Sequence, residues 1–164
     1  MDTSNRKIRR ETIKRVSFIL FIMILTLTLT PVLSACKTIP DDFTKNNTLW
    51  ISKRMTNYNF TLQRQCFCPE DRRGPVRIQV RDRVATSVVY TASGSPANAE
   101  FFTDIDTVDK IFIKISEAYK GKAEKIIVTY DRVFGYPLTS YIDVSTKIAD
   151  EEQGYTITDF QAAD

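Results

Sequence analysis

The chain has 164 residues, 43% hydrophobic and 26% charged, with three cysteines and no histidine. That length suits one ordinary domain, and the lack of imidazole removes the commonest general base and metal ligand from the chemistry on offer. The formal charge of +3 carries no nucleic-acid footprint: Arg6, Lys7, Arg9, Arg10, Lys14 and Arg15 stand against Asp2 and Glu11, so 17 basic and 18 acidic side chains remain from Cys36 onward, with no long basic run interleaved with aromatics.

Taken in chain order, the first element is a basic stretch, Arg6 to Arg15, followed by an apolar run from Val16 to Leu29 that only Ser17, Thr26 and Thr28 relieve. Pro31 and small residues then lead to Cys36. This is the order of a secretory signal peptide. The alternative is an uncleaved anchor, because the 18 residues from Val16 to Leu33 equal the shortest spanning helices. Pro31 favours cleavage, and Leu33-Ser34-Ala35-Cys36 resembles the lipobox of bacterial lipoproteins. That resemblance implies cleavage between Ala35 and Cys36, a diacylglyceryl group on the Cys36 sulfur and acylation of the new amino group. Several acyl chains on one residue anchor a protein stably, where one binds reversibly. The sequence thus predicts a removed signal peptide over 1–35, a flexible tether over 36–47 and one domain over 48–164.

Lys37 to Asn47 is polar, contains Pro40 and shows no apolar period, as a tether requires. Leu49, Trp50, Ile51 and Met55 fit one short helix. Tyr58, Phe60 and Leu62 alternate with Asn59, Thr61 and Gln63 as in a half-buried strand, and the same parity carries Cys66 and Cys68 to the apolar face. Val76, Ile78 and Val80 alternate with arginine and glutamine, Arg81-Asp82-Arg83 is polar, and Val84 to Tyr90 is β-branched, which together predict a hairpin. After a polar loop with Gly94 and Pro96, the positions of Val108, Ile111, Phe112, Ile115 and Tyr119 mark an amphipathic helix, capped at Asp106 or Thr107 and ended by Gly121. Three more strands follow at Ile126 to Tyr130, Leu138 to Val144 and Tyr155 to Phe160. Sequential strands pair antiparallel, so the expected class is α+β: five or six antiparallel strands with two helices on one sheet face.

Trp50, Tyr58, Cys66-Phe67-Cys68-Pro69, Val108 to Phe112, Tyr130-Asp131, Gly135-Tyr136-Pro137, Asp143 and Asp150-Glu151-Glu152 form an ordered set of markers. With them the chain resembles, from about Leu49 to Phe160, a family of bacterial lipoproteins described only as a domain of unknown function. The resemblance implies a lipid anchor and a small α+β domain, and no activity. The chain departs from it at Arg81-Asp82-Arg83, where an acidic residue followed by glycine is expected in the hairpin turn.

Two sets of residues are candidates for function. Cys66 and Cys68 suit a disulfide in an exported protein. Alternate residues of a regular strand lie about 6.6 Å apart, at the far edge of what a disulfide tolerates, so the chain must bend there. A small strained ring is also more easily reduced, so a structural bridge, a thiol-disulfide role and a metal-responsive pair stay open; two thiols supply half of a tetrahedral site. Tyr130, Asp131, Gly135, Tyr136, Pro137 and Asp143 form the second set. Asp131 and Asp143 at neighbouring strand ends would suit calcium or acid–base chemistry, and ordinary turn chemistry accounts for the same residues. No Gly-rich phosphate loop or nucleophile elbow is present. The sequence therefore predicts a non-enzymatic envelope lipoprotein without cofactor, held to a membrane through Cys36 and binding an envelope protein or cell-wall component. Lys37, rather than Asp, follows the lipidated residue and gives no inner-membrane retention signal of the enterobacterial kind.

Overall fold

A computed structural model describes residues 39–163. The expected leader over 1–35, its cleavage point at Ala35 and the lipidated Cys36 lie outside the described residues. Among the described residues no helix is long and apolar enough to cross a membrane.

Helix α1 runs over Asp41–Ser52 and starts directly after Pro40, whose extended backbone precedes the first turn. Asp41 and Asp42 occupy that turn, where negative charge complements the helix dipole. This corrects the expected boundaries: much of the stretch read as a tether is helical, and the helix ends before Met55. The physical reason is sparse patterning, since only Phe43 and Trp50 of α1 are buried. They are seven residues apart, two turns along one face, and too few to register as a period.

Strand β1 (Tyr58–Gln65), β2 (Val76–Arg81) and β3 (Val84–Tyr90) form one antiparallel meander; β4 (Lys125–Tyr130), β5 (Pro137–Asp143) and β6 (Gln153–Ala162) form another. The two meet along β1 and β6, giving one six-stranded antiparallel sheet in the order β3-β2-β1-β6-β5-β4. Helix α2 (Val108–Lys120) connects the β3 edge to the β4 edge. Its buried residues are those that the sequence period selects, Val108, Ile111, Phe112, Ile115 and Tyr119. Thr107 caps it by accepting the Lys110 N–H at 3.3 Å, and the Tyr58 hydroxyl accepts the Val108 N–H at 3.1 Å. The central strand thus satisfies one of the amides that a helix start leaves orphaned.

Both helices cover one sheet face. The core there is aromatic at the α1 end: Trp50 meets Tyr58 at 5.4 Å between ring centroids and Phe160 at 5.9 Å, and Tyr136 stacks on Phe160 at 4.5 Å. The loop after β3, polar on first inspection, turns inward over Ala99–Phe101 and buries Phe102 and Ile105. The opposite sheet face carries Thr61, Arg77, Thr129, Thr139 and Thr156, with Thr129 and Thr139 hydroxyl-bonded at 2.6 Å. The α+β expectation therefore stands, with six strands.

Candidate functional site

The groove that gathers the most distinctive groups lies at the end of β1. Cys66 and Cys68 are joined in a disulfide with their Cα atoms 5.3 Å apart, shorter than a straight strand allows. The strand accordingly ends at Gln65, and Cys66-Phe67-Cys68 bends out of the sheet. This corrects the parity argument that kept both cysteines on the apolar face. At the tip of the three-residue ring Phe67 is 80% exposed. Pro69 then leads into the short 3-10 turn Glu70–Arg72.

A groove of about 400 Å³ runs beside this ring, walled by Val144 and Asp150 to Glu152 from the β5–β6 connection, by Gln153 at the start of β6, and by Arg64, Arg72 and Asp104. Arg64 bonds the Asp104 carboxylate at 2.6 Å and lies over the Phe102 ring at 5.9 Å. Lys114 approaches the other Asp104 oxygen at 3.6 Å. Arg72 sits 4.5 Å over the Phe101 ring. Glu151 accepts a short hydrogen bond from the Ser145 N–H and so ties its own loop. With Arg64 and Asp104 paired, the charged groups that remain are Arg72 against Asp150, Glu151 and Glu152. The result is an acidic rim next to an exposed aromatic ring. Tyr155, beneath this end of the sheet, has its phenol pushed up to about 12, chiefly by burial. Among the described residues no three His, Cys, Asp or Glu side chains are placed to hold a metal ion.

The second set of predicted residues separates into a turn and a distant carboxylate. Asp131 accepts the N–H groups of Val133 at 2.9 Å and Phe134 at 2.6 Å, and its carbonyl accepts the Gly135 N–H at 3.0 Å. Gly135 has φ +82, and a Cβ there would lie 2.5 Å from the Asn46 carbonyl of α1. Tyr136 is buried against Trp50 and Phe160, and Pro137 opens β5 opposite Tyr130. Tyr130 stacks on Phe112 at 6.3 Å, and burial raises its phenol well above the ordinary range. These residues bind α1 to the β4–β5 hairpin. Asp143 pairs with Lys125 at the far end of that hairpin, about 20 Å from the turn at roughly 3.4 Å per residue. Asp131 and Asp143 therefore do not meet, because the hairpin turn at Asp131 fixes a register that sends Asp143 to the opposite end. Asp143 is 5% exposed, and its Oδ1 has no hydrogen-bond partner.

Trp50 and Tyr58 are core residues. The Trp50 indole N–H donates to Asp109 at 3.0 Å, and Tyr58 is fully buried with its phenol held protonated by that burial.

A family model described as a family of unknown function, DUF6174, matches residues 42–162. The chain belongs to that family. No curated protein and no solved structure matches it. The matched span takes in α1 through β6, so the whole sheet, both helices and the Cys66–Cys68 groove lie within the DUF6174 domain. Sequence reasoning found the cysteines and the acidic triplet. It missed Arg64, Arg72, Asp104 and Val144 as their neighbours, since these converge through sheet order and leave no spacing along the chain.

Proposed function

We propose that this DUF6174 chain is a bacterial envelope lipoprotein, cleaved between Ala35 and Cys36 and held to a membrane by lipid on Cys36, whose domain is a non-enzymatic binding module. The order of basic stretch, apolar run, Pro31 and Leu33-Ser34-Ala35-Cys36 supports the anchor. Only Lys37 to Pro40 then separate the lipidated residue from α1. The observation that carries the binding role is Phe67, 80% exposed at the tip of a disulfide-closed ring beside a groove with an acidic rim. Large aromatic anchors dominate interface energetics when a partner pocket desolvates them, and the short ring holds this one at low entropic cost. The partner that fits is an envelope protein segment with an apolar pocket flanked by lysine or arginine.

The test is photo-crosslinking in the native envelope, with a photoreactive phenylalanine analogue replacing Phe67 and, as control, Val133 at the opposite end of the β4–β5 hairpin. A discrete adduct from position 67, absent at 133 and lost from a neighbouring probe site in Phe67→Ser, is the expected result. Equal labelling at both positions, or turnover of a substrate by protein that captures no partner, would count against a binding module.

A second reading rests on the same disulfide. Cys66 and Cys68 are both partly accessible at the groove, so a partner thiolate can attack one sulfur and release the other as thiolate. If the pair serves thiol-disulfide exchange or metal response, the Cys66→Ser, Cys68→Ser double variant loses resistance to oxidative or metal stress. Unchanged resistance removes that reading.

A further inference from the structure

The two edges of the sheet are finished differently. At β3 the second half of the outer edge is covered by the chain itself: the Ala97 N–H donates to the Val88 carbonyl at 2.9 Å, the Tyr90 N–H donates to the Ser95 carbonyl at 2.9 Å, and Val89 bridges to Pro96. Strand β4 is the other edge. Its sequence, Lys-Ile-Ile-Val-Thr-Tyr, has neither proline nor glycine, and Ile127 is 52% exposed. Natural sheets blunt edges with charges, proline, bulges or a covering segment, because a bare edge templates pairing with another strand.

The direction of the free backbone groups follows from the register. Glu124 donates to the Val144 carbonyl, and Ile126 and Val128 stand opposite Ile142 and Ser140. Hydrogen-bonded pairs alternate along an antiparallel ladder, so Glu124, Ile126 and Val128 are spent on β5. The amides and carbonyls of Lys125, Ile127 and Thr129 point outward.

We propose that β4 pairs antiparallel with β4 of a second copy of this chain, with Ile127 opposite the partner copy's Ile127 on a two-fold axis. This register places Lys125 across from the copy's Thr129, and it uses every outward group of the three residues, making six hydrogen bonds. It brings no like charges into opposition, and each Lys125 ammonium already lies 5.4 Å over its own Tyr141 ring, drawn back across the sheet. The two Ile127 side chains, otherwise exposed, cover each other on the open face. On the helix-covered face Ile126 meets the copy's Val128, both only half-buried in the single chain. Such an isologous contact is self-complementary and closed, and it joins two six-stranded sheets into one.

A cysteine register scan of the purified full-length protein, oxidised briefly with copper–phenanthroline, tests this directly. Paired residues in the proposed register have Cα atoms about 5.5 Å apart, within disulfide reach, whereas Lys125 lies about 14 Å from its own copy. Ile127→Cys should give a reducible dimer above the level of the unsubstituted chain. Lys125→Cys and Thr129→Cys alone should not, and the double variant carrying both should. No dimer from Ile127→Cys, or as much from Lys125→Cys alone or from Val84→Cys at the other edge, overturns the proposal. Ile127 is exposed, so these variants keep the core intact.

Discussion

Gly135 is the residue whose replacement the structure constrains most tightly. Its φ of +82 disfavours any side chain, and an added Cβ would meet the Asn46 carbonyl at 2.5 Å and the Leu49 side chain at 3.1 Å. Gly135→Ala must therefore push α1 away from the hairpin, with an expected loss of about 2–3 kcal/mol in urea unfolding; a midpoint within error of the parent would show that α1 does not seat there. The hairpin turn between β2 and β3 offers the opposite case. Asp82 and Arg83 have φ of +50 and +66, the two positive values of the turn type that favours glycine at its second position. Arg83→Gly should stabilise the fold by about 0.5–1 kcal/mol, measured as a rise in denaturation midpoint at constant slope. Here the sequence was informative in a negative way: the departure from acidic-Gly at Arg81-Asp82-Arg83 marks a strained turn that keeps its two-residue geometry. At Asp131, turn chemistry was legible from the residue type alone, since a carboxylate two and three residues before free amides caps them.

Among the elements, legibility followed the strength of the periodic pattern. Helix α2 presents five buried residues on one face and a capping threonine, β2 alternates cleanly into the core, and β1 places Tyr58, Phe60 and Leu62 at alternate buried positions, so their positions could be read directly. The last turn of helix α1 was legible from Leu49, Trp50 and Ile51, but its start was not, because two buried residues in twelve leave the polar stretch from Asp41 indistinguishable from a linker. The inward turn carrying Phe102 and Ile105 has no period at all. Register was the second hidden quantity. Whether Asp131 and Asp143 meet depends on which end of β5 faces the turn, and the separation in the ladder decides it. The groove at Cys66–Cys68 was half visible for the same reason: its cysteines and acidic triplet are local in sequence, while Arg64 and Asp104 are joined only through the tertiary fold.

For the whole molecule, buried tyrosines set the alkaline limit of stability. Burial raises the Tyr155 phenol to about 12 and those of Tyr58 and Tyr130 further, against about 10 in the unfolded chain. Below about pH 10 the stability these groups contribute is fully present. Above it the unfolded chain releases phenolic protons that the fold retains, so stability falls as pH rises, by up to about 1.4 kcal/mol per pH unit for each of the buried Tyr58 and Tyr155 and by less for the half-buried Tyr130, which solvent screens. Urea unfolding at pH 8, 10.5 and 11.5 should show this decline; equal stability across the series would mean that these phenols are solvated. The same domain, of the DUF6174 family from α1 to β6, is proposed to work at a membrane surface. That claim is tested most directly by the intact mass of protein extracted from membranes, with and without reduction and thiol alkylation. The expected spectrum is a chain that begins at an acylated Cys36 and gains two hydrogens, then two alkyl groups, only after reduction of Cys66 and Cys68. An unprocessed chain that retains residues 1–35 would contradict the lipoprotein account.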